Sequence, residues 1–142
     1  MALTEPIQKG QLDSLQHASA AEIGRFLATH KGGAVQVAEH FLSHIEEQTS
    51  AVFLNVTQDR ALAEARSSDE RLAAGRPLSP LDGVPLAWKD LIDMAGERTT
   101  VASGLFKETP LAEEDAPAVR RATQAGMVNL GKVNLAEFAY SA

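Results

Sequence analysis

Apolar residues in the first half of the chain recur at helical spacing. The clearest stripe follows the i, i+3, i+4, i+7 pattern and is formed by Ala38, Phe41, Leu42 and Ile45. It predicts a helix over residues 34–48 that turns one apolar face toward a core. A further helix is predicted over residues 59–74, because Gly75 and Pro77 follow as helix breakers. Residues 1–18 show no such period and are interpreted as an N-terminal arm.

A helix-start signature precedes this stripe. In Ser19-Ala20-Ala21-Glu22, the Ser19 hydroxyl can accept a hydrogen bond from the backbone N–H of Glu22, and the Glu22 carboxylate can reach back. This arrangement is a capping box, so a helix is predicted to begin here. Gly32-Gly33 should end it, since glycine readily adopts the left-handed conformation that closes a helix.

The second half of the chain contains short apolar runs without polar alternation. Val84–Trp88 is continuously apolar and stops abruptly at Lys89-Asp90, and Met127–Leu130 follows a predicted helix capped by Gly126. Such runs are typical of strands covered on both faces in an α/β sheet. With a strand or extended link over residues 52–56, the pattern predicts an α/β fold in which helices pack outside a mixed sheet.

Composition and charge narrow the possible functions. The chain has 142 residues, with 13 basic and 19 acidic side chains and a net charge of −6. This charge repels phosphate backbones and anionic lipid, so a general nucleic-acid binder is disfavoured and we expect no membrane partner. With 0 cysteines, the sequence excludes a thiolate zinc site and a cysteine nucleophile. No signal-peptide pattern is present, so the expected location is cytoplasmic.

Two groups of polar residues contain side chains that can bind metals, but neither group matches the sequence pattern of a known type of metal site. His40 and His44 have the spacing of a zinc-binding pair, yet they lie opposite the apolar stripe, which predicts a solvated helix face. Asp82, Asp90 and Asp93 match no calcium loop and are interpreted as turn and hydrogen-bonding residues. The sequence also lacks a phosphate loop and a dinucleotide fingerprint. We therefore expect no metal and no cofactor.

Lys89 is the candidate catalytic residue. An amine at the end of a buried apolar strand is at risk of desolvation, which favours the neutral form that can act as a general base. The plainer alternative is that Lys89 reaches solvent or pairs with an acid such as Asp90. From residue chemistry alone, the plainer alternative is favoured.

Two stretches resemble conserved blocks of the amidase signature family. The first is residues 80–104. It begins P-L-D-G-V-P-L-A-W-K-D-L-I-D-M-A-G-E-R-T-T, which is similar to the block P-L-x-G-V-P-x-x-x-K-D-x-x-D-x-x-G-x-x-T-T. Residues 114–119 and 126–139 resemble a second block. The resemblance implies the N-terminal part of a three-layer α/β/α fold with a mixed sheet. Residues 19–142 would then be an incomplete amidase domain that continues beyond the chain.

The resemblance also implies a hydrolase that cleaves the carbon–nitrogen bond of a small carboxamide. Members of the family use a Ser–Ser–Lys triad and an acyl-enzyme. The lysine of the K-D pair is the family's catalytic lysine, so that role carries over to Lys89. The two serines belong to a Gly-Gly-Ser-Ser-Gly-type block that the chain does not reach, and neither Ser103 nor Ser141 matches it. We therefore expect the isolated chain to carry one of three catalytic residues and to be inactive.

Two alternatives remain beside a free-standing amidase. One is the glutamine-hydrolysing subunit of a tRNA-dependent amidotransferase. Those subunits tend to have Asn after Lys-Asp, whereas Leu91 follows here. The other alternative is a non-catalytic fragment or interaction module, which a stop codon directly after Ala142 would indicate. The expected partner is a small-molecule amide, while the substrate's identity and the oligomeric state stay open.

Overall fold

Helices and strands alternate along the chain. This computed structural model describes residues 7–30, 32–48 and 50–140. Within them the elements are α1 (Lys9–Leu15), α2 (Ala20–Leu27), α3 (Gly33–Glu47), β1 (Phe53–Val56), α4 (Gln58–Ala73), β2 (Pro85–Lys89), α5 (Pro117–Gln124) and β3 (Val128–Val133). Short 3₁₀ turns lie at Gly104–Phe106 and Glu137–Ala139.

The sheet brings the two apolar runs together. Its strand order is β1-β3-β2, with β3 in the centre. β1 runs antiparallel to β3, and Val56 pairs with Gly131. β2 runs parallel to β3, and Lys89 pairs with Val133. Both runs therefore lie side by side in one mixed sheet, which confirms the predicted α/β fold class.

β2 is less enclosed than its apolar sequence predicts. Val84, just before the strand, is buried, whereas Pro85–Trp88 is half-buried. Among the described residues β2 has a neighbour on one side only, so its other edge is open. Burial on both faces applies instead to the central strand, where Val128–Lys132 is buried.

The core lies where α3 and α4 pack against each other and against β3. Ala38 and Leu42 are buried there, and Phe41 and Ile45 pack at its border. The predicted stripe is thus the core-facing side of α3. The helices predicted over 34–48 and 59–74 match α3 and α4 to within one residue at either end.

The predicted N-terminal arm contains a short helix. α1 places Leu15 in the core, and Leu12 packs at its border. A helix of this length with two core contacts is too short to show an apolar period, so the sequence pattern does not indicate it. Residues 1–6 lie outside the described part of the chain.

The start of α2 is predicted correctly, but its end is not. The backbone N–H of Ser19 donates to Glu22 Oε2 at 2.7 Å, and the N–H of Glu22 donates to Ser19 Oγ at 3.3 Å, which confirms the capping box. The helix ends at Leu27 rather than at Gly32-Gly33. Thr29 Oγ1 donates to the carbonyl of Phe26, so a side chain satisfies an acceptor that a longer helix would have used.

We expect Gly24→Ala to destabilise the protein, although alanine is normally the better helix former. A Cβ at Gly24 would lie 2.2 Å from the carbonyl oxygen of Pro80, so α2 and the Pro80 turn would have to separate. Overpacking of this kind costs about 1–3 kcal/mol. The matched control is Gly10→Ala in α1, where a Cβ meets no atom within 4 Å. That change should stabilise the protein by up to about 1 kcal/mol.

Urea unfolding of both glycine variants measures the two effects on the same scale. Opposite signs are expected. A Gly24→Ala protein at least as stable as the parent would contradict the close packing of α2 against Pro80.

Candidate active site

Lys89 lies at the carboxyl end of β2 with its side chain exposed. Its Nζ donates a hydrogen bond to the backbone carbonyl of Asn134 at 2.9 Å. Asn134 directly follows Val133, the register partner of Lys89 in β3. Because parallel strands end at the same edge of a sheet, β2 and β3 deliver the amine and its acceptor to one place.

The acceptor of Lys89 is itself anchored. The N–H of Asn134 donates to the carbonyl of Val52 at 2.7 Å, and its side-chain Nδ2 donates to the carbonyl of Ala51 at 3.1 Å. These two bonds fix the Asn134 peptide against the segment before β1. Among residues 7–30, 32–48 and 50–140, the amine of Lys89 is therefore held at one donor position and has no partner at the others.

The residue after Lys89 and the residue before its register partner Val133 form a buried ion pair. Lys132 Nζ is 2.9 Å from Asp90 Oδ1, and both residues are 1% exposed. Lys132 Nζ also donates to Thr99 Oγ1 at 3.0 Å. The other carboxylate oxygen, Asp90 Oδ2, accepts from the N–H of Thr100 at 3.1 Å and from its hydroxyl. The pair thus joins β2, β3 and the segment that follows β2.

That segment contains a strained turn. Val101 and Ala102 have φ angles of 49° and 57°, in the left-handed region that side chains other than glycine rarely adopt. Such residues cost about 1–3 kcal/mol each and persist only where the surroundings hold them. Here the N–H of Val101 donates to the carbonyl of Asp90, and the carbonyl of Val101 accepts from the N–H of Phe138, both at 2.9 Å.

A cleft of about 500 Å³ opens beside these groups. Six of the residues that line it are Asn55, Asp90, Arg98, Thr100, Lys132 and Asn134. Asn134 is shared between the cleft wall and the hydrogen bond to Lys89. Lys89 is not one of the residues that line the cleft, and it adjoins the cleft through its acceptor Asn134. Its exposed amine can exchange a proton with a group that approaches from outside the sheet.

The structure buries a different lysine from the one at which the sequence suggests desolvation. Desolvation is expected for Lys89, but among the described residues its side chain is exposed, and its partner is the Asn134 carbonyl rather than Asp90. The buried lysine is Lys132, which residue reasoning does not single out. The sequence feature that could have indicated its burial is that it is the single lysine within Val128–Val133, the central strand.

The histidine prediction is wrong for His40. Its side chain is 8% exposed because α1 covers it. Gln16 Nε2 lies 3.1 Å from His40 Nε2 and 2.6 Å from His44 Nε2. Burial is the largest effect that lowers the pKa of His40, and His44 lowers it further. Across the described residues no group of three or more His, Asp or Glu side chains is arranged to hold a metal.

The three aspartates have the hydrogen-bonding roles that the sequence predicts. Asp82 accepts from the guanidinium of Arg71, and Asp93 accepts from the hydroxyl of Thr99, while Asp90 pairs as described above. Ser103 is buried, and its hydroxyl donates to Glu137 Oε1 at 2.7 Å. Ser141 lies outside the described residues.

A family model described as Amidase matches residues 36–142. The chain belongs to the amidase family. This confirms the resemblance seen in the two sequence blocks. The match begins inside α3, so the predicted domain start at residue 19 stays a prediction. Within the described residues, no helix has both the length and the apolar character needed to cross a bilayer.

Curated relatives of this amidase-family chain share a name. A glutamyl-tRNA(Gln) amidotransferase subunit of Thermobifida fusca is 42% identical over 125 residues, which cover 85% of this chain and 24% of the relative. The protein of the same name from Prochlorococcus marinus is 45% identical over 108 residues, covering 75% of this chain and 22% of the relative. The chain therefore spans about a quarter of the length of these relatives.

Solved structures show the same fold. A chain from a vestigial protein complex that reveals the evolutionary origins of an s-triazine catabolic enzyme aligns with a TM-score of 0.81 at 38% identity. The alignment covers 87% of this chain and 27% of that one. Native peptide amidase from Stenotrophomonas maltophilia aligns with a TM-score of 0.71 at 29% identity, covering 87% of this chain and 26% of that one.

Proposed function

We propose that this chain supplies Lys89 as the general base of an amide hydrolase. The two serines of the triad would come from sequence that the 142 residues do not contain. The observation that carries the proposal is the placement of the Lys89 amine. It is exposed and held by the Asn134 carbonyl at the carboxyl edge of parallel strands, and Asn134 in turn lines a cleft.

The proposed reaction begins with a neutral Lys89. Its amine takes the proton of a bridging serine, which in turn takes the proton of the nucleophilic serine. The nucleophile attacks the carboxamide carbon, and the carbon–nitrogen bond breaks as the nitrogen leaves with a returned proton. Water then hydrolyses the acyl-enzyme and restores the triad. Only a neutral amine can start this relay, because an ammonium group has no lone pair to accept a proton.

For the substrate, we propose the side-chain carboxamide of glutamine. This is the alternative that the sequence leaves open, and the relatives support it over a free-standing amidase. Relatives at 40–45% identity are named for their place in a glutamyl-tRNA(Gln) amidotransferase. Leu91 after Lys-Asp favours the free-standing enzymes, but it is one position, whereas these alignments extend over 108–125 residues.

A free-standing amidase is the second candidate. Leu91 supports it, and so does the fold similarity to peptide amidase at 29% identity. The candidates differ in substrate and in dependence on partners. A free-standing enzyme would hydrolyse small carboxamides alone, whereas an amidotransferase subunit would prefer glutamine and respond to its partner subunits and charged tRNA.

Ammonia release by the full-length protein distinguishes them. The protein is assayed with glutamine and with a panel of other small carboxamides, each with and without the partner subunits and charged tRNA. Preference for glutamine that the partners enhance supports the amidotransferase subunit. Equal or faster turnover of other carboxamides without partners supports the free-standing enzyme. No ammonia under any condition would contradict amide hydrolysis.

The 142-residue chain alone should release no ammonia from any carboxamide. It contains the proposed base but no serine that matches the family's nucleophile block. The full-length protein is the positive control in the same assay. Activity in the isolated chain that Lys89→Arg abolishes would contradict the placement of the nucleophile outside these residues.

A further inference from the structure

We propose that the buried Asp90–Lys132 ion pair is a positioning device for Lys89 and cancels the charge of the carboxylate beside it. The inference rests on the proposed function, since it concerns Lys89 as a base. Asp90 is the next residue after Lys89. Lys132 comes directly before Val133, which pairs with Lys89 in the sheet. The ion pair therefore connects the two strands one residue away from the Lys89 position on each.

The pair fixes the backbone on both sides of Lys89. Asp90 is held through Lys132 on one carboxylate oxygen and through Thr100 on the other. Its N–H donates to the carbonyl of Val133 at 2.9 Å, and its own carbonyl accepts from the strained Val101. A shift of Asp90 would move Lys89 with it. The ion pair thus holds the end of β2 in place.

The pair also fixes the group that Lys89 contacts. Lys132 is two residues before Asn134, whose carbonyl accepts from the Lys89 amine at 2.9 Å. Movement of Lys132 would displace this acceptor. One ion pair therefore stabilises the base on β2 and its anchor after β3.

The charges of the pair matter as well as its geometry. A buried carboxylate without a counter-charge would favour the protonated form of a neighbouring amine, and a buried ammonium group alone would disfavour it. At 2.9 Å separation and 1% exposure, Asp90 and Lys132 cancel these fields. The intact pair therefore adds little net field at the neighbouring Lys89 position.

Other charged groups surround the pair from neighbouring segments. Arg98 and Lys107 line the cleft. The acidic groups are Asp93, which contacts Thr99, Glu97, which contacts Asn55, and Glu137, which contacts Ser103. All five are more exposed than the pair, so water and salt screen them. The pair is therefore the source of unscreened charge expected to act on Lys89. This electrostatic role goes beyond the turn and hydrogen-bonding role that the sequence predicts for Asp90.

The test is the pH profile of kcat/KM in the full-length enzyme. Lys132→Gln leaves the Asp90 carboxylate without its counter-charge. The acid limb of the profile, where activity falls at low pH, should then move to higher pH. Asp90→Asn leaves the Lys132 ammonium unbalanced, so the limb should move to lower pH. Shifts of about one pH unit are expected for close charges. Lys132→Arg retains the charge and should keep the parent profile.

Opposite shifts in the two variants support the proposal. A fall in kcat with an unmoved acid limb in both variants, or shifts of the same sign, would overturn it. If the single variants do not fold, Asp90→Asn/Lys132→Gln decides, because it contains no buried charge. This double variant should fold and keep the parent acid limb. A folded double variant whose limb moves by about one unit, or one that does not fold, would overturn the proposal.

Lys89→Arg measured alongside separates this inference from the proposed function. If Lys89→Arg turns over normally, the assignment of Lys89 as the base fails. If Lys89→Arg is inactive and the opposite shifts are missing, Lys89 remains the base and only the role of the ion pair fails.

Discussion

Lys89→Arg should remove most of the amide hydrolysis of the full-length enzyme while leaving it folded. Arginine can still donate a hydrogen bond to the Asn134 carbonyl, but its guanidinium stays charged and cannot take a proton. Loss of a general base typically lowers the rate by about 10²–10⁴-fold, and loss within a coupled triad can cost more. Lys89→Ala should be at least as damaging.

The matched control for this prediction is Lys9→Arg, an exposed lysine on α1. It should leave kcat unchanged. Steady-state ammonia release gives kcat for both variants, and circular dichroism confirms their folds. A folded Lys89→Arg enzyme with near-normal kcat would mean that Lys89 is structural.

Asp82→Ala should cause a large loss of stability. Asp82 is 2% exposed and accepts two hydrogen bonds from Arg71, at 2.9 and 2.7 Å. It also accepts from the N–H of Leu78 at 2.8 Å, which closes the loop that leads into β2. Asp82→Ala leaves the Leu78 N–H and the half-buried Arg71 guanidinium without their acceptor, and a buried polar group without a partner costs about 1–3 kcal/mol.

The same carboxylate makes stability depend on acid. Burial alone would raise the pKa of Asp82, but the Arg71 guanidinium and the Leu78 N–H hold it below its usual 3.8. A carboxylate with a lower pKa in the folded state stabilises the protein above the unfolded pKa and loses that contribution as the pH falls through the folded value. Stability should therefore decline below about pH 4, and less steeply in Asp82→Ala.

Urea unfolding at pH 7 and pH 3 measures both effects. Glu108→Ala, at an exposed acid, is the control and should change stability little at pH 7. A loss in Asp82→Ala no larger than in the control would contradict the importance of the Arg71–Asp82 contact.

The sequence predicts a helix or strand well where a single apolar face or a local capping pattern marks it. The stripe of α3 and the capping box of α2 are both local patterns, and both are confirmed. The apolar run Met127–Leu130 predicts that β3 ends at Leu130. Instead the strand continues to Val133. A Cβ at Gly131 would lie 2.2 Å from the carbonyl oxygen of Asn55, so this glycine permits close pairing with β1 rather than a turn.

Sequence patterns indicate one residue of the site and miss its neighbour. Lys89 follows from a recognisable K-D pair at the end of an apolar run. The partner of Asp90 depends on which side chain of β3 lies opposite it. Local sequence patterns do not predict how strands more than 40 residues apart pair with each other. For the same reason the sequence places His40 in solvent. Its cover is α1, which has too few core contacts to be seen in the sequence.

A structure of the full-length enzyme tests the central claim most directly. The distance to measure runs from Lys89 Nζ to the nearest serine hydroxyl outside these 142 residues. The account predicts a hydrogen bond of about 2.6–3.2 Å, with the Asn134 carbonyl still bound to the same amine. A Lys89 side chain that contacts no serine, in an enzyme caught with an amide substrate or analogue bound, would contradict it.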